Sequence, residues 1–183
     1  CTNVFIPITV GGGIRTIDDI KNALKSGADK VAINTKAVKS PSFIIKSSKI
    51  FGAQCIISSI EAKAIGVNKW EVYIDNGREP TGKDVIDWAK EVEKLGAGEI
   101  MLTSIDQEGT KRGFDINLCN HVAKNVSIPI IASGGMNRSN DAVELLKNAN
   151  IDAISIASTL HYQIETIQSI KKTLIENKIQ VRS

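Results

Sequence analysis

The chain has 183 residues, 42% of them hydrophobic and 23% charged, which is the make-up of one ordinary globular domain and excludes an intrinsically disordered chain. A net charge of +3, with Lys and Arg mixed evenly among Asp and Glu, excludes a broad nucleic-acid surface and leaves room only for a local anion site. Cys1, Cys55 and Cys119 are odd in number and unpatterned in spacing, so neither a disulfide framework nor a zinc site is indicated, a reducing cytoplasm is expected, and no apolar run reaches membrane-spanning length.

Phe5 to Val10 reads as a buried strand that ends at Gly11-Gly12-Gly13. Thr16 is a plausible N-cap for a helix with Ile17, Ile20, Ala23 and Leu24 on one stripe, closed by Gly27. Lys30 to Asn34 is the next strand. Ser40-Pro41 opens a helix, with Pro at its first position, that runs through Phe43, Ile44 and Ile50 to Gly52. Gln54 to Ile60 is a third strand, delivering Glu61 and Lys63 at its exit. Trp70 to Ile74 with the turn signal Asp75-Asn76-Gly77 reads as a hairpin excursion. Helix Lys83 to Leu95 precedes a fourth strand, Glu99 to Ser104, which delivers Asp106 and Glu108 into a loop with Gly109. Helix Asp115 to Ala123, strand Ile128 to Ala132, helix Ser139 to Lys147 and strand Ala153 to Ala157 follow. After Ser158 and His161 a final helix carries Ile164, Ile167, Ile170 and Leu174 on one stripe.

The first part of the chain returns near its end. Ile6-Pro7-Ile8 and the Val10-Gly-Gly-Gly-Ile14 stretch recur as Ile128-Pro129-Ile130 and Ala132-Ser-Gly-Gly-Met136, an offset of about 120 residues, far beyond a solenoid period and typical of two related halves of one domain. Glycines at a strand exit let the backbone turn sharply and bring N–H groups close to an anion, so two such loops suggest two phosphate sites; the alternative is that they only make tight turns. Strands apolar on both faces that alternate with helices indicate a parallel sheet covered by helices. Gly11-Gly12-Gly13 does not supply the G-x-G-x-x-G pattern of a doubly wound dinucleotide fold. Polar residues at successive strand exits, Asn34, Glu61, Asp106, Ser133 and Ser158, instead favour the active face of a (β/α)8 barrel. With roughly six strand–helix units read, residues 1–183 are expected to be a single partial barrel domain lacking its first two units, the C-terminal part of a longer protein.

Thr9-Val-Gly-Gly-Gly-Ile-Arg15, Gly27-Ala-Asp-Lys-Val31, Ile33-Asn-Thr35, Gly96-Ala-Gly-Glu-Ile100, Leu102-Thr-Ser-Ile-Asp106, Ile128-Pro-Ile-Ile-Ala-Ser-Gly-Gly135 and His161 resemble, in family order, the HisF family, the cyclase subunit of imidazole glycerol phosphate synthase in histidine biosynthesis. The resemblance implies a (β/α)8 barrel, without cofactor or metal, that takes ammonia from a HisH-like glutaminase partner. It implies a substrate with a phosphate at each end, a ribulosyl aminoimidazole carboxamide nucleotide that is cyclised and cleaved to imidazole glycerol phosphate and an aminoimidazole carboxamide ribotide. By position Gly13, Asn34 and Thr35 would hold one phosphate, and Gly109, Gly134, Gly135, Ala157 and Ser158 the other.

The family's catalytic pair is two aspartates, one at the end of the first barrel strand, expected outside this chain, and one that aligns with Glu61. The change from Asp to Glu moves the carboxyl by about a bond length, and a misplacement near an ångström can cost on the order of a hundredfold in rate. Glu61 is thus either the acid–base group or a strand-end carboxylate paired with Lys63. Glu108 shows the same Asp-to-Glu change on the active face. Asp106 either acts directly or caps backbone around Gly109. His161 is read as local packing and His121 as a surface residue. At the other end of the barrel Lys30 and Glu99 match part of an ammonia gate, with Asp29 and Gln54 as partner contacts on the same face. Alternatives are a paralogue that supplies ammonia for amidation of a surface-glycan sugar, which Glu61 and Glu108 favour, and an ammonia-conducting scaffold without chemistry of its own. Lacking the first catalytic carboxylate, the 183 residues by themselves are expected to be inactive.

Overall fold

The computed structural model describes residues 5–182; Cys1 lies outside them. Six strands make one parallel sheet in chain order: β1 (Thr9–Gly11), β2 (Lys30–Ile33), β3 (Ile56–Gly66), β6 (Glu99–Ser104), β7 (Ile130–Ser133) and β8 (Ala153–Ser155). A doubly wound sheet reverses its strand order at a switch point, whereas here each parallel neighbour is the next unit along the chain. That order is the one a (β/α)8 barrel uses, and six of its units are present among the described residues. Two more strands, β4 (Lys69–Ile74) and β5 (Glu79–Asp84), run antiparallel and hang from β3.

Burial alternates along the inner strands except at the start of β3, where Ile57 is buried on the inner face as well. Val31 and Ile33, Ile56 and Ile60, Ile100 and Leu102, Ile130 and Ala132 point to the helix side and are buried. Ala32, Ser59, Glu61, Met101, Thr103 and Ser133 alternate with them and stay half-buried on the opposite face. The sheet is therefore not apolar on both faces as the runs implied. One face meets helices, and the other carries the mixed polar surface of a barrel interior.

The helices are α1 (Ile17–Lys25), α3 (Ser42–Phe51), α4 (Val85–Lys94), α5 (Ile116–Ala123), α6 (Ser139–Asn148) and α8 (Ile167–Glu176), with two short ones, α2 (Thr35–Lys39) and α7 (Ser158–His161). Their starts follow from side-chain caps: Thr16 Oγ1 accepts from Asp19 N at 3.1 Å while Asp19 Oδ2 accepts from Thr16 N, Asp84 Oδ1 accepts from Ile86 N and Asp87 N, and Asp115 Oδ1 accepts from Leu118 N. Pro41 takes the N-cap position of α3 with helical dihedrals instead of the first helical position, so the helix begins at Ser42, one residue later than expected. Trp88, Ile44, Leu118 and Leu145 fill the layer between the helices and the sheet.

The internal repeat is visible bond by bond. Ile8 N donates to Asp29 Oδ2 at 2.7 Å, and Ile130 N to Asp152 Oδ2 at 2.9 Å. Arg15 and Thr16 N–H groups converge on Asp19 Oδ2 before α1, as those of Asn137 and Arg138 converge on Asp141 Oδ2 before α6. Asn34 (φ −113°, ψ −87°) and Ala157 (φ −120°, ψ −74°) lead into α2 and α7 with the same unusual backbone.

Several expected bounds change as well, and α4 starts at Val85 instead of Lys83 because Lys83 and Asp84 belong to β5. The first strand begins at Thr9, and Phe5 and Ile6 are 94% and 73% exposed, because β1 has a partner only on its β2 side among the described residues. β3 does not end at Ile60 but runs to Gly66, since its far half pairs with both β4 and β6. The last strand stops at Ser155.

Candidate active site

The exits of β1, β2 and β3 enclose a cavity of about 850 Å³, bordered by Gly11 to Arg15, by Asn34 and Thr35, and by Glu61 and Asp75. This is the C-terminal end of the parallel strands, where such sheets gather functional groups. Gly12 (φ +89°) and Gly13 (φ +72°) hold left-handed backbone, and a Cβ on either would meet nothing within 4 Å, so the loop is open around both. Arg15, Lys36 and Lys39 add positive charge around the same cavity. Thr35 Oγ1 accepts from Asp75 N at 3.2 Å and keeps its own proton to donate.

The second glycine loop is built differently. A Cβ on Gly135 would lie 2.0 Å from Gly113 O, and one on Gly134 would lie 2.9 Å from Ser104 O. These glycines allow the β7 exit to pack on the loop after β6, a contact sealed by Gly113 N donating to Gly135 O at 2.8 Å. Thr159 Oγ1 donates to Met136 O at 2.8 Å and ties α7, with Ala157 and Ser158 at its start, to that loop. The carboxylate of Glu108 borders Gly134, and exposed Gly109 (φ +72°) faces open space. The structure thus brings Gly13, Asn34, Thr35 and Glu61 together on one side, and Glu108, Gly134 and Gly135, with α7 tied alongside, on the other.

Glu61 lies within β3, not beyond its end. Its Oε2 accepts from Asn34 Nδ2 at 2.9 Å and from Gly77 N at 2.8 Å. Burial pushes its carboxyl above the usual range; the bonds from Gly77 and Asn34 pull against that, and the nearby charge of Asp75 adds to it. No pair forms with Lys63, whose ammonium instead stands 5.4 Å from the centre of the Tyr73 ring. Asp106 does not cap the turn at Gly109: its Oδ2 accepts from Ala64 N at 2.8 Å and pins the loop after β6 to the extension of β3. His121 is half-buried against Trp70, with ring centroids 5.2 Å apart, and His161 packs edge-on to Tyr162.

Lys30 and Glu99, the first residues of β2 and β6, form an ion pair at the opposite end of the strands. Their side chains are 30% and 19% exposed, and the pair spans the inner face across β3, which lies between the two strands. Asp29 and Gln54 are exposed at that same end. Among the described residues no three metal-ligating side chains cluster, and no helix is long and apolar enough to cross a membrane. Among the site residues that sequence reasoning missed are the cations Arg15, Lys36 and Lys39 and, from the hairpin, Asp75, Gly77 and the carbonyl of Tyr73; Asp75-Asn76-Gly77 was legible as a turn, but nothing in it says which strand it folds over.

A family model described as "Histidine biosynthesis protein" matches residues 1–166. The chain is 48% identical to the imidazole glycerol phosphate synthase subunit HisF of Bacillus cereus (strain G9842) over 179 residues, which are 98% of this chain and 71% of that protein. It is 48% identical to the subunit of the same name from Methanococcus vannielii, with 98% of this chain and 73% of that one covered, and 49% identical to that of Hydrogenobaculum sp. (strain Y04AAS1), with 98% and 71% covered.

Proposed function

The chain belongs to the histidine biosynthesis protein family, and we propose that Glu61 is its acid–base group, flanked by one phosphate loop at Gly13 and Thr35 and a second at Gly109, Gly134, Gly135, Ala157 and Ser158. Kinship to HisF subunits over nearly the whole chain makes it the cyclase subunit of an imidazole glycerol phosphate synthase, a lyase-type enzyme of histidine biosynthesis that works with a partner subunit. Its substrate on this reading is the bis-phosphorylated ribulosyl aminoimidazole carboxamide nucleotide, and its ammonia comes from a glutaminase subunit docking at the end where Lys30, Glu99, Asp29 and Gln54 lie. The synthase acts in the cytoplasm.

The observation that carries the reading is the placement of Glu61 on the inner face, beside an open glycine loop and three cationic side chains. The amides of Gly12 and Gly13, the hydroxyl of Thr35 and the charge of Arg15 suit a phosphate dianion. Burial raises the proton affinity of Glu61, the direction that suits a group which takes up a proton and releases it to a leaving atom. Asp106 serves as a positioning residue, because its carboxylate is engaged with Ala64 N. Glu108 lies against the second loop and narrows it.

The test is calorimetry with the bis-phosphorylated substrate, together with turnover on added ammonium in a synthase carrying this subunit. Thr35→Ala and Ser158→Ala should each weaken binding by about 1 to 3 kcal/mol. Glu61→Gln should abolish turnover while substrate still binds. Unchanged affinity in both hydroxyl variants sinks the two-phosphate assignment.

A further inference from the structure

We propose that Asn34 and the backbone N–H of Gly77 are a positioning clamp on Glu61, occupying its Oε2 so that Oε1 is the oxygen that carries and delivers the proton. The proposal rests on Glu61 being the acid–base group and assigns Asn34 to that carboxyl instead of to a phosphate.

Hydrogen-bond bookkeeping at Asn34 leaves it no other role. Its side-chain amide has two N–H hydrogens, and both are spent: Nδ2 donates to Glu61 Oε2 at 2.9 Å and to Tyr73 O at 3.2 Å. The remaining atom, Oδ1, is an acceptor, buried and without a partner among the described residues, and an acceptor repels a phosphate oxygen. Any phosphate at this rim is therefore met by backbone amides and the Thr35 hydroxyl, not by the Asn34 side chain.

The second jaw comes from the hairpin. Asp75, Asn76 and Gly77 have φ of +53°, +57° and +73°, and this run of left-handed residues directs the Gly77 N–H to Glu61 Oε2 at 2.8 Å. Two N–H donors aimed at one oxygen exclude a proton from it, so the neutral carboxyl carries its hydrogen on Oε1, which accepts no hydrogen bond among the described residues. The length of Glu61 is what makes the clamp reachable: an Asp at this position would end about 1.5 Å short. Charged groups around the same cavity are Asp75 and Glu79 from the hairpin, Arg15 from the first loop, and Lys36 and Lys39 from α2, with Lys63 on β3 itself turned to Tyr73.

Two readouts test the clamp: the carboxyl ¹³C titration of Glu61 in the folded chain, and kcat and KM against pH in a synthase carrying this subunit. Asn34→Ala removes a donor to the charged form, so the titration midpoint of Glu61 should move up. In the same variant kcat should fall about tenfold or more while KM changes less than about twofold. Asn34→Asp conserves the shape and sets a second carboxylate beside the first, so it should move the midpoint further in the same direction and remains readable if the Ala variant misfolds. A raised KM with an unmoved midpoint would make Asn34 a substrate ligand and overturn the clamp. If Glu61→Gln abolishes turnover while the Asn34 variants leave the titration where it was, the clamp fails alone; if Glu61→Gln retains turnover, the acid–base assignment fails and the clamp with it.

Discussion

Glu61 couples to folding with the opposite sign from the other shifted carboxylates. Burial raises its proton affinity in the fold, so its contribution to stability is fully present below the ordinary carboxylate range and is lost as pH rises through the folded value. Asp19, held low first by the Arg15 amide, and Glu93, held low first by the Ser127 hydroxyl, contribute stability above that range and lose it as pH falls through their depressed values. Glu61→Gln should therefore melt above the parent at neutral pH, with the gap closing in acid, whereas Asp19→Asn should melt below it with the gap also closing in acid. Thermal melts from pH 3 to pH 8, on the order of the carboxylate range and beyond, check both signs, and a gap that ignores pH counts against the coupling. At the opposite end the Lys30–Glu99 pair is mostly buried, so removing one partner strands the other charge and costs stability, and a role in ammonia passage has to be read from the ratio of two turnovers. Lys30→Ala should reduce glutamine-dependent turnover more than ammonium-dependent turnover, and equal losses in the two assays would argue against a gate.

The two glycine loops look alike as elements of sequence and differ in what they ask of glycine. Gly12→Ala meets no atom and bears only the left-handed backbone, a cost of about 1 to 2 kcal/mol. Gly135→Ala must also push a methyl into the Gly113 carbonyl 2.0 Å away, and should cost about 3 kcal/mol or more and release the loop after β6. Denaturant melts of the two variants that coincide would contradict the packing of the second loop. The order of the large elements was legible because strands such as Cys55-Ile-Ile-Ser-Ser-Ile60 and stripes such as Ile17, Ile20 and Leu24 carry strong apolar signals. What stayed illegible has physical reasons. α2 and α7, of five and four residues, are too short to show a helical period. β5, Glu-Pro-Thr-Gly-Lys-Asp, has no apolar alternation and is a strand only because β4 offers it an edge. The clamp on Glu61 joins residues 34, 61 and 77 through three separate elements, which no local pattern encodes.

At the scale of the whole molecule, the chain-order sheet explains why the repeat and the site go together. Equivalent units at its two ends, β1-α1-β2-α2 and β7-α6-β8-α7, each present a glycine loop on the same rim, so the distance between the loops is set by β3 and β6, the strands between them, and β3 brings Glu61 to the middle. The same architecture leaves the outer edges of β1 and β8 without a strand partner among the described residues. Each edge strand is three residues long, enough for only a few ladder bonds, but the β1 side also shows Phe5 and Ile6 to solvent, with Val10 36% exposed. Apolar area left in water costs about 25 cal/mol per Å², and unpaired backbone offers another chain a template, so the two act together at that edge. The polypeptide of these 183 residues should therefore self-associate weakly and reversibly through β1. Sedimentation at increasing concentration should show mass rising with loading, and Phe5→Ser together with Val10→Lys, which removes apolar area and sets a charge on the edge, should restore a lighter species. Sedimentation as a monomer at every concentration, or association that the paired substitutions leave untouched, would mean that the β1 edge is not what draws the chains together.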